Sequence, residues 1–180
     1  MVIVDNYLFK DATKKIDIIK RTDSNILALL QQLIPKRAAG CSIPLEIMII
    51  TVETDLEPGK IRDHITNHLK KHLHIHNLEV SIVLIFPTRY HDRHFLTQFF
   101  YLTTGKGFNY FKDNLKLDAH LSTYLSISPW AASRSSDSDS KTFGEIARLM
   151  LRDLGRAISQ KKAGSVGGQT SRLIDWAMKT

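Results

Sequence analysis

The chain is poor in cysteine: Cys41 is the only one in 180 residues. A single thiol excludes an internal disulfide framework and any Cys-based zinc site, and it fits a reducing compartment. Long apolar runs are missing as well. None approaches the roughly 20 residues a spanning helix needs, and Met1 to Phe9 carries no basic region ahead of an apolar core. The expectation is a soluble chain that is not exported, cytoplasmic and at most peripheral to a membrane. Internal repeats are absent too. A hydrophobic fraction of 43% and a charged fraction of 24% are those of an ordinary globular protein. The length allows one domain with a real core, or one domain plus a helical appendage.

What the chain has in excess is positive charge. A formal net charge of +7 raises the local concentration of acidic partners, nucleic acid or anionic lipid headgroups alike. The basic residues are dispersed, as in Lys14-Lys15, Lys20-Arg21, Lys36-Arg37, Lys70-Lys71 and Lys161-Lys162, so the field they make depends on folding. A merely solubilising surface accounts for them equally well.

Patterning gives the elements. Val2-Ile3-Val4 reads as a short buried strand ending in the polar turn Asp5-Asn6-Tyr7. Asp23-Ser24-Asn25 offers N-caps to a helix carrying Ile26, Leu27, Leu29, Leu30, Leu33 and Ile34, which Pro35 closes. Leu45 to Val52 is β-branched and bounded by polar turns, as a central parallel strand is. Glu57-Pro58-Gly59 opens a second helix to about Leu73, with Ile61, Ile65, Leu69 and Leu73 on one side. Val80 to Phe86 is a third strand, stopped by Pro87. Two short strands follow, His94 to Gln98 and Phe99 to Thr103, with no room for a helix between them, so the sheet becomes mixed. Leu115 to Ser128 alternates like a further strand. The run Ser133 to Ser140 has almost nothing to bury and reads as a linker. Phe143, Ile146, Ala147, Met150, Leu151, Leu154 and Ile158 then form an apolar helical stripe, and a last short helix spans Ser171 to Met178.

Two segments carry chemistry. His91-Asp92-Arg93 sets an imidazole, a carboxylate and a guanidinium side by side, and Gly105-Lys106-Gly107 follows closely. Lys106 and the backbone amides around it suit a phosphate, although a hairpin needing positive φ explains the glycines more economically. Asp5-Asn6-Tyr7 ends the first strand, where open α/β sheets place ligands. The bland alternative is a structural network in which Arg93 pairs with Asp5. His64, His68 and His72 recur every fourth residue, and His74 and His76 lie just beyond, but they sit beside Lys70 and Lys71 on a solvated face. No metal site is expected there. Ser165 to Thr170 lacks a phosphate-loop lysine and implies no nucleotide. No cofactor is expected either.

The order of these elements, with His91-Asp92-Arg93 and Thr104-Gly105-Lys106-Gly107-Phe108-Asn109-Tyr110-Phe111-Lys112, resembles the phospholipase D-like domain that lies C-terminal to the MIT domain in a eukaryotic ESCRT-associated protein. Bacterial proteins, some linked to antiviral defence, carry similar domains. The resemblance covers Met1 to Trp130, so it implies a phospholipase D-like α/β domain over 1–130, a Ser/Asp-rich linker over 131–141 and an added C-terminal helical segment over 142–180.

It also implies roles. In the catalytic superfamily His-x-Lys, four residues and Asp recur in two halves or two subunits, and one histidine attacks phosphorus while the other protonates the leaving group. On that pattern His91 is the nucleophile and Arg93 takes the lysine position. Gln98 stands where the orienting aspartate belongs, and a neutral amide does not stabilise an imidazolium. The MIT-associated relatives bind lipid without catalysis. The expected ligand-binding residues are Asp5, Tyr7, His91, Asp92, Arg93, Lys106 and Asn109, with His91 and Arg93 catalytic only if the chain is an enzyme. Three functions stay open: a non-catalytic module binding anionic phospholipid or nucleic acid, a protein-interaction scaffold docking through 142–160, and a homodimeric metal-independent phosphodiesterase.

Overall fold

The computed structural model describes residues 1–9, 14–34, 44–52, 56–85, 93–97, 100–104, 125–129, 148–156, 165–167 and 172–179. They form a mixed α/β architecture around a seven-stranded sheet. In chain order the strands are β1 (Val2–Val4), β2 (Leu45–Val52), β3 (Leu78–Ile85), β4 (Arg93–Leu96), β5 (Phe100–Thr104), β6 (Leu125–Pro129) and β7 (Ser165–Gly167). Across the sheet the order is β6-β5-β4-β1-β2-β3-β7. The three β-branched runs pair in parallel, β1 with β2 and β2 with β3. β4 lies antiparallel to β1 on its other side, and β5, β6 and β7 also pair antiparallel with their neighbours. The shift to antiparallel pairing falls where the loss of helix-length connections puts it.

Helices cover the first face. α1 (Lys15–Thr22) runs through a π-helical segment, Asp23–Leu27, into α2 (Ala28–Leu33). This helix starts earlier than the Asp23-Ser24-Asn25 caps imply, because those residues sit inside the continuous helix. Thr22 illustrates the continuity: its hydroxyl donates back to the Ile18 carbonyl at 2.7 Å. α3 (Pro58–Leu73) begins as expected, with Pro58 in the first turn, and ends at His74, which adopts a left-handed φ of 53°. Histidine tolerates that region better than most residues. Ile18, Leu27, Leu30, Ile61, Ile65 and Leu69 from these helices pack on Ile3, Ile47, Ile49, Ile82 and Phe95 of the sheet.

The strand alternation sends the intervening residues to the opposite face. There Val2, Val4, Met48, Ile50, Val83, Leu96 and Tyr101 meet Met150, Leu151 and Leu154 of α4 (residues 148–156) and Ile174 of α5 (Arg172–Lys179). The C-terminal segment thus covers the sheet, and it adds a strand the sequence pattern does not predict, β7, paired with β3. Arg172 Nε reaches Glu46 of β2 at 2.7 Å. No helix among the described residues is long and apolar enough to cross a membrane.

Candidate functional site

β1 is the hinge of the topology. Its forward connection leads to β2 on one side, whereas the connection after β3 returns across it to β4 on the other. Such switch points leave a crevice beyond the strand ends. The residues there follow from the register. Ile49, Ile3, Phe95 and Leu102 form one transverse row on the first face, all in the apolar core. Two residues farther along each strand, on the same face, come Thr51, Asp5, Arg93 and Thr104. Arg93 is paired with Thr104, and Asp5 follows Val4, which is itself paired with Ile50 and His94. An apolar row therefore gives way to a polar one that crosses β2, β1, β4 and β5.

That polar row is buried. Asp5 is 3% exposed, Thr51 0% and Thr104 1%, and the Arg93 side chain is 15% exposed. The Asp5 backbone N–H donates to the Ile50 carbonyl at 3.0 Å, which extends the β1–β2 ladder by one bond. Its Oδ1 accepts from the Tyr7 backbone N–H at 2.8 Å, an Asx-type turn that redirects the chain off the sheet. The same oxygen lies 3.4 Å from Arg93 Nε, an ion pair that is long for a hydrogen bond at that nitrogen. The guanidinium also lies over the Tyr7 ring, 4.8 Å from its centroid, within cation–π range. Tyr7 is 43% exposed, so the stack opens to solvent.

Burial pushes the Asp5 carboxyl above its ordinary value, against the pull of the Tyr7 N–H, Arg93 and Arg21. Taking two charges out of water is costly, and a retained buried pair at a strand end marks a candidate site better than it marks a source of stability. Thr51 adds a second anomaly. Its hydroxyl is fully buried and has no hydrogen-bond partner among the described residues, which valine would avoid at the same volume.

Of the expected site residues, the structure brings Asp5, Tyr7 and Arg93 together. His91, Asp92, Lys106 and Asn109 lie outside the described residues, as does Gln98. Thr97, the last described residue before Gln98, sits at the opposite end of β4 from Arg93 and closes a turn with Phe100. Sequence reasoning missed Thr51 and Thr104, since a threonine at a strand end reads as a turn neighbour. The available signal was parity: each lies two residues beyond a core residue on its own strand.

A second polar pair lies on the other face. His94 Nδ1 and Tyr101 Oη are 2.7 Å apart, both buried, with their rings stacked. It faces away from Arg93 and does not join the row. On α3, His68 pairs with Asp23 of the π-helical segment and its ring packs on His72. No group of three or more His, Cys, Asp or Glu side chains among the described residues is arranged to hold a metal.

A scan of protein-family models, a search of curated proteins and a search of solved structures each return no match for this chain.

Proposed function

We propose that the chain is a phospholipase D-like module that binds anionic, phosphate-bearing ligands, lipid headgroups or nucleic acid, without turning them over. One observation carries the reading: a buried polar row includes a guanidinium, and that guanidinium stacks on an exposed tyrosine at the switch point of the sheet. Arginine suits phosphate because its planar fork matches two oxygens at once. The net charge of +7 would draw such ligands toward it. Against turnover stands Gln98 in place of an orienting carboxylate. The phospholipase D-like assignment itself rests on the order of strands and helices and on His91-Asp92-Arg93 with the glycine-lysine turn after it.

Binding to phosphatidylserine vesicles and to plasmid DNA, each between about 50 and 200 mM salt, tests the proposal. The expected result is salt-sensitive binding to one of them without hydrolysis of either. Lys106→Gln should weaken it about fivefold, the effect of one lysine near an anionic surface. Arg93→Ala is the poorer probe because it strands a buried carboxylate. Cleavage lost in His91→Ala would favour the dimeric phosphodiesterase. If neither ligand bound at low salt, the scaffold reading would take its place.

A further inference from the structure

We propose that the polar row is a proton-linked seat for one tetrahedral oxyanion, which is received by the Thr51 hydroxyl and the Arg93 guanidinium once Asp5 is protonated. The seat deepens the phosphate-binding reading and rests on it. Three observations on one face of the sheet lead there, one on Thr51 and two on Asp5.

The first is Thr51. A hydroxyl left unsatisfied in a core lowers stability, and buried polar atoms without partners are rare enough to call for an explanation. Thr51 Oγ1 is such an atom at the end of a strand, on the same face as Asp5 and Arg93. An anion oxygen would accept the bond it cannot make now.

The second is the placement of Asp5. It lies between Thr51 on β2 and Arg93 on β4, and Arg93 leans over β1 to reach it. An anion touching both flanking groups therefore lies over the carboxylate. Two anions cannot share that position, so the carboxylate has to be neutral when the ligand is seated. As a carboxylic acid it becomes a donor to the ligand instead of a competitor for the arginine.

The third is that Asp5 is prepared to take the proton. Its burial already favours the neutral form. The charged groups bearing on it among the described residues are Arg93 from β4 and Arg21 from α1, with the Tyr7 backbone N–H holding one oxygen. A seated anion would shift the balance further toward protonation. Linkage makes the effect reciprocal, so lower pH must tighten binding. Asp5 is then an internal anion that vacates Arg93 in exchange for a proton.

Sulfate is the probe, because it has no titrating proton between about pH 4.5 and 7.5 and mimics a phosphoryl group. Calorimetry in two buffers of different ionisation enthalpy gives affinity and proton uptake together. Above the pH at which free Asp5 titrates, the wild type should bind sulfate about tenfold tighter for each unit the pH falls, with uptake of about one proton per ion. Asp5→Asn, which keeps the side-chain shape, should bind with no proton uptake and a nearly flat pH profile. Thr51→Val should lose about tenfold in affinity at pH 5, with a melting temperature in the absence of sulfate no lower than wild type. Thr51→Ser should retain binding.

A wild-type pH profile in Asp5→Asn, or wild-type affinity in Thr51→Val, would overturn the proposal. Should Asp5→Asn fail to fold, the proton count on the wild type decides alone, and sulfate binding without proton uptake sinks the linkage while leaving the phosphate-binding function standing. Absence of sulfate binding at every pH would overturn the seat, and the vesicle and plasmid measurements would then decide the phosphate-binding function separately.

Discussion

Asp5 is the residue at which opposing forces are easiest to weigh. It has a nearby guanidinium and a backbone donor, both favouring the carboxylate, yet burial wins and raises its pKa above 3.8. The folded state therefore holds this proton more tightly than the unfolded chain does. Its contribution to stability grows as pH falls from neutral through the raised pKa toward 3.8, and the ionised form costs stability above that window. Asp5→Asn, a neutral isostere, should accordingly melt at or above the wild-type temperature at pH 7. The gap should close as the pH approaches 4. Thermal melts across that range check it, and a lower melting temperature for the variant at pH 7 would mean that the attraction to Arg93 outweighs desolvation.

Among the elements, α3 shows how far patterning reaches. Ile61, Ile65 and Leu69 are fully buried at four-residue spacing, and Pro58 opens the helix. Leu69→Ala should cost about 2–5 kcal/mol in denaturant unfolding, the usual cost of a large-to-small change in a packed core. Lys70→Ala, on the exposed side, should stay within about 0.5 kcal/mol. β2 is legible for a similar reason: the Leu45 to Val52 run is apolar on both faces apart from Glu46 near its start and Thr51 near its end. The start of α1 was not read, because Lys15–Thr22 offers only three apolar residues, Ile16, Ile18 and Ile19, and Asp23-Ser24-Asn25 resembles a cap. A π-helical segment hides that join, since the extra residue breaks the 3.6 period on which the reading depends. β7 was hidden by its length, three residues held by pairing with β3. In the site, Asp5 and Arg93 were legible as charges at strand boundaries. Thr51 and Thr104 were not, because their meaning comes from lateral register, which no single strand reveals.

For the whole molecule, the second face of the sheet decides what can be removed. Val2, Val4, Met48, Ile50 and Val83 are covered by Met150, Leu151, Leu154 and Ile174, which come from far along the chain. A fragment of residues 1–130 would leave those central residues open to water and the β3 edge unpaired. It should therefore be aggregation-prone and lack a cooperative melt. A soluble fragment with a sharp thermal transition would show that the first face suffices. Leu154→Ala in the intact chain is the gentler version and should cost about 2–5 kcal/mol.

The position of β1 in the sheet also sets an order in time. The strand nearest the start of the chain pairs on one side with Met48 to Ile50 and on the other with His94 to Leu96. A ribosome would thus extend about ninety residues beyond β1 before that strand could meet both neighbours, and tens more before the second face was covered. Nearly all the pairing is between segments distant in sequence, so refolding should be slow, on the millisecond-to-second scale of non-local β topologies. During synthesis the nascent chain would carry its most apolar strands exposed for many seconds at about 5–20 residues per second. Its dispersed lysines and arginines would then act before there is any fold, by keeping one growing chain away from the next.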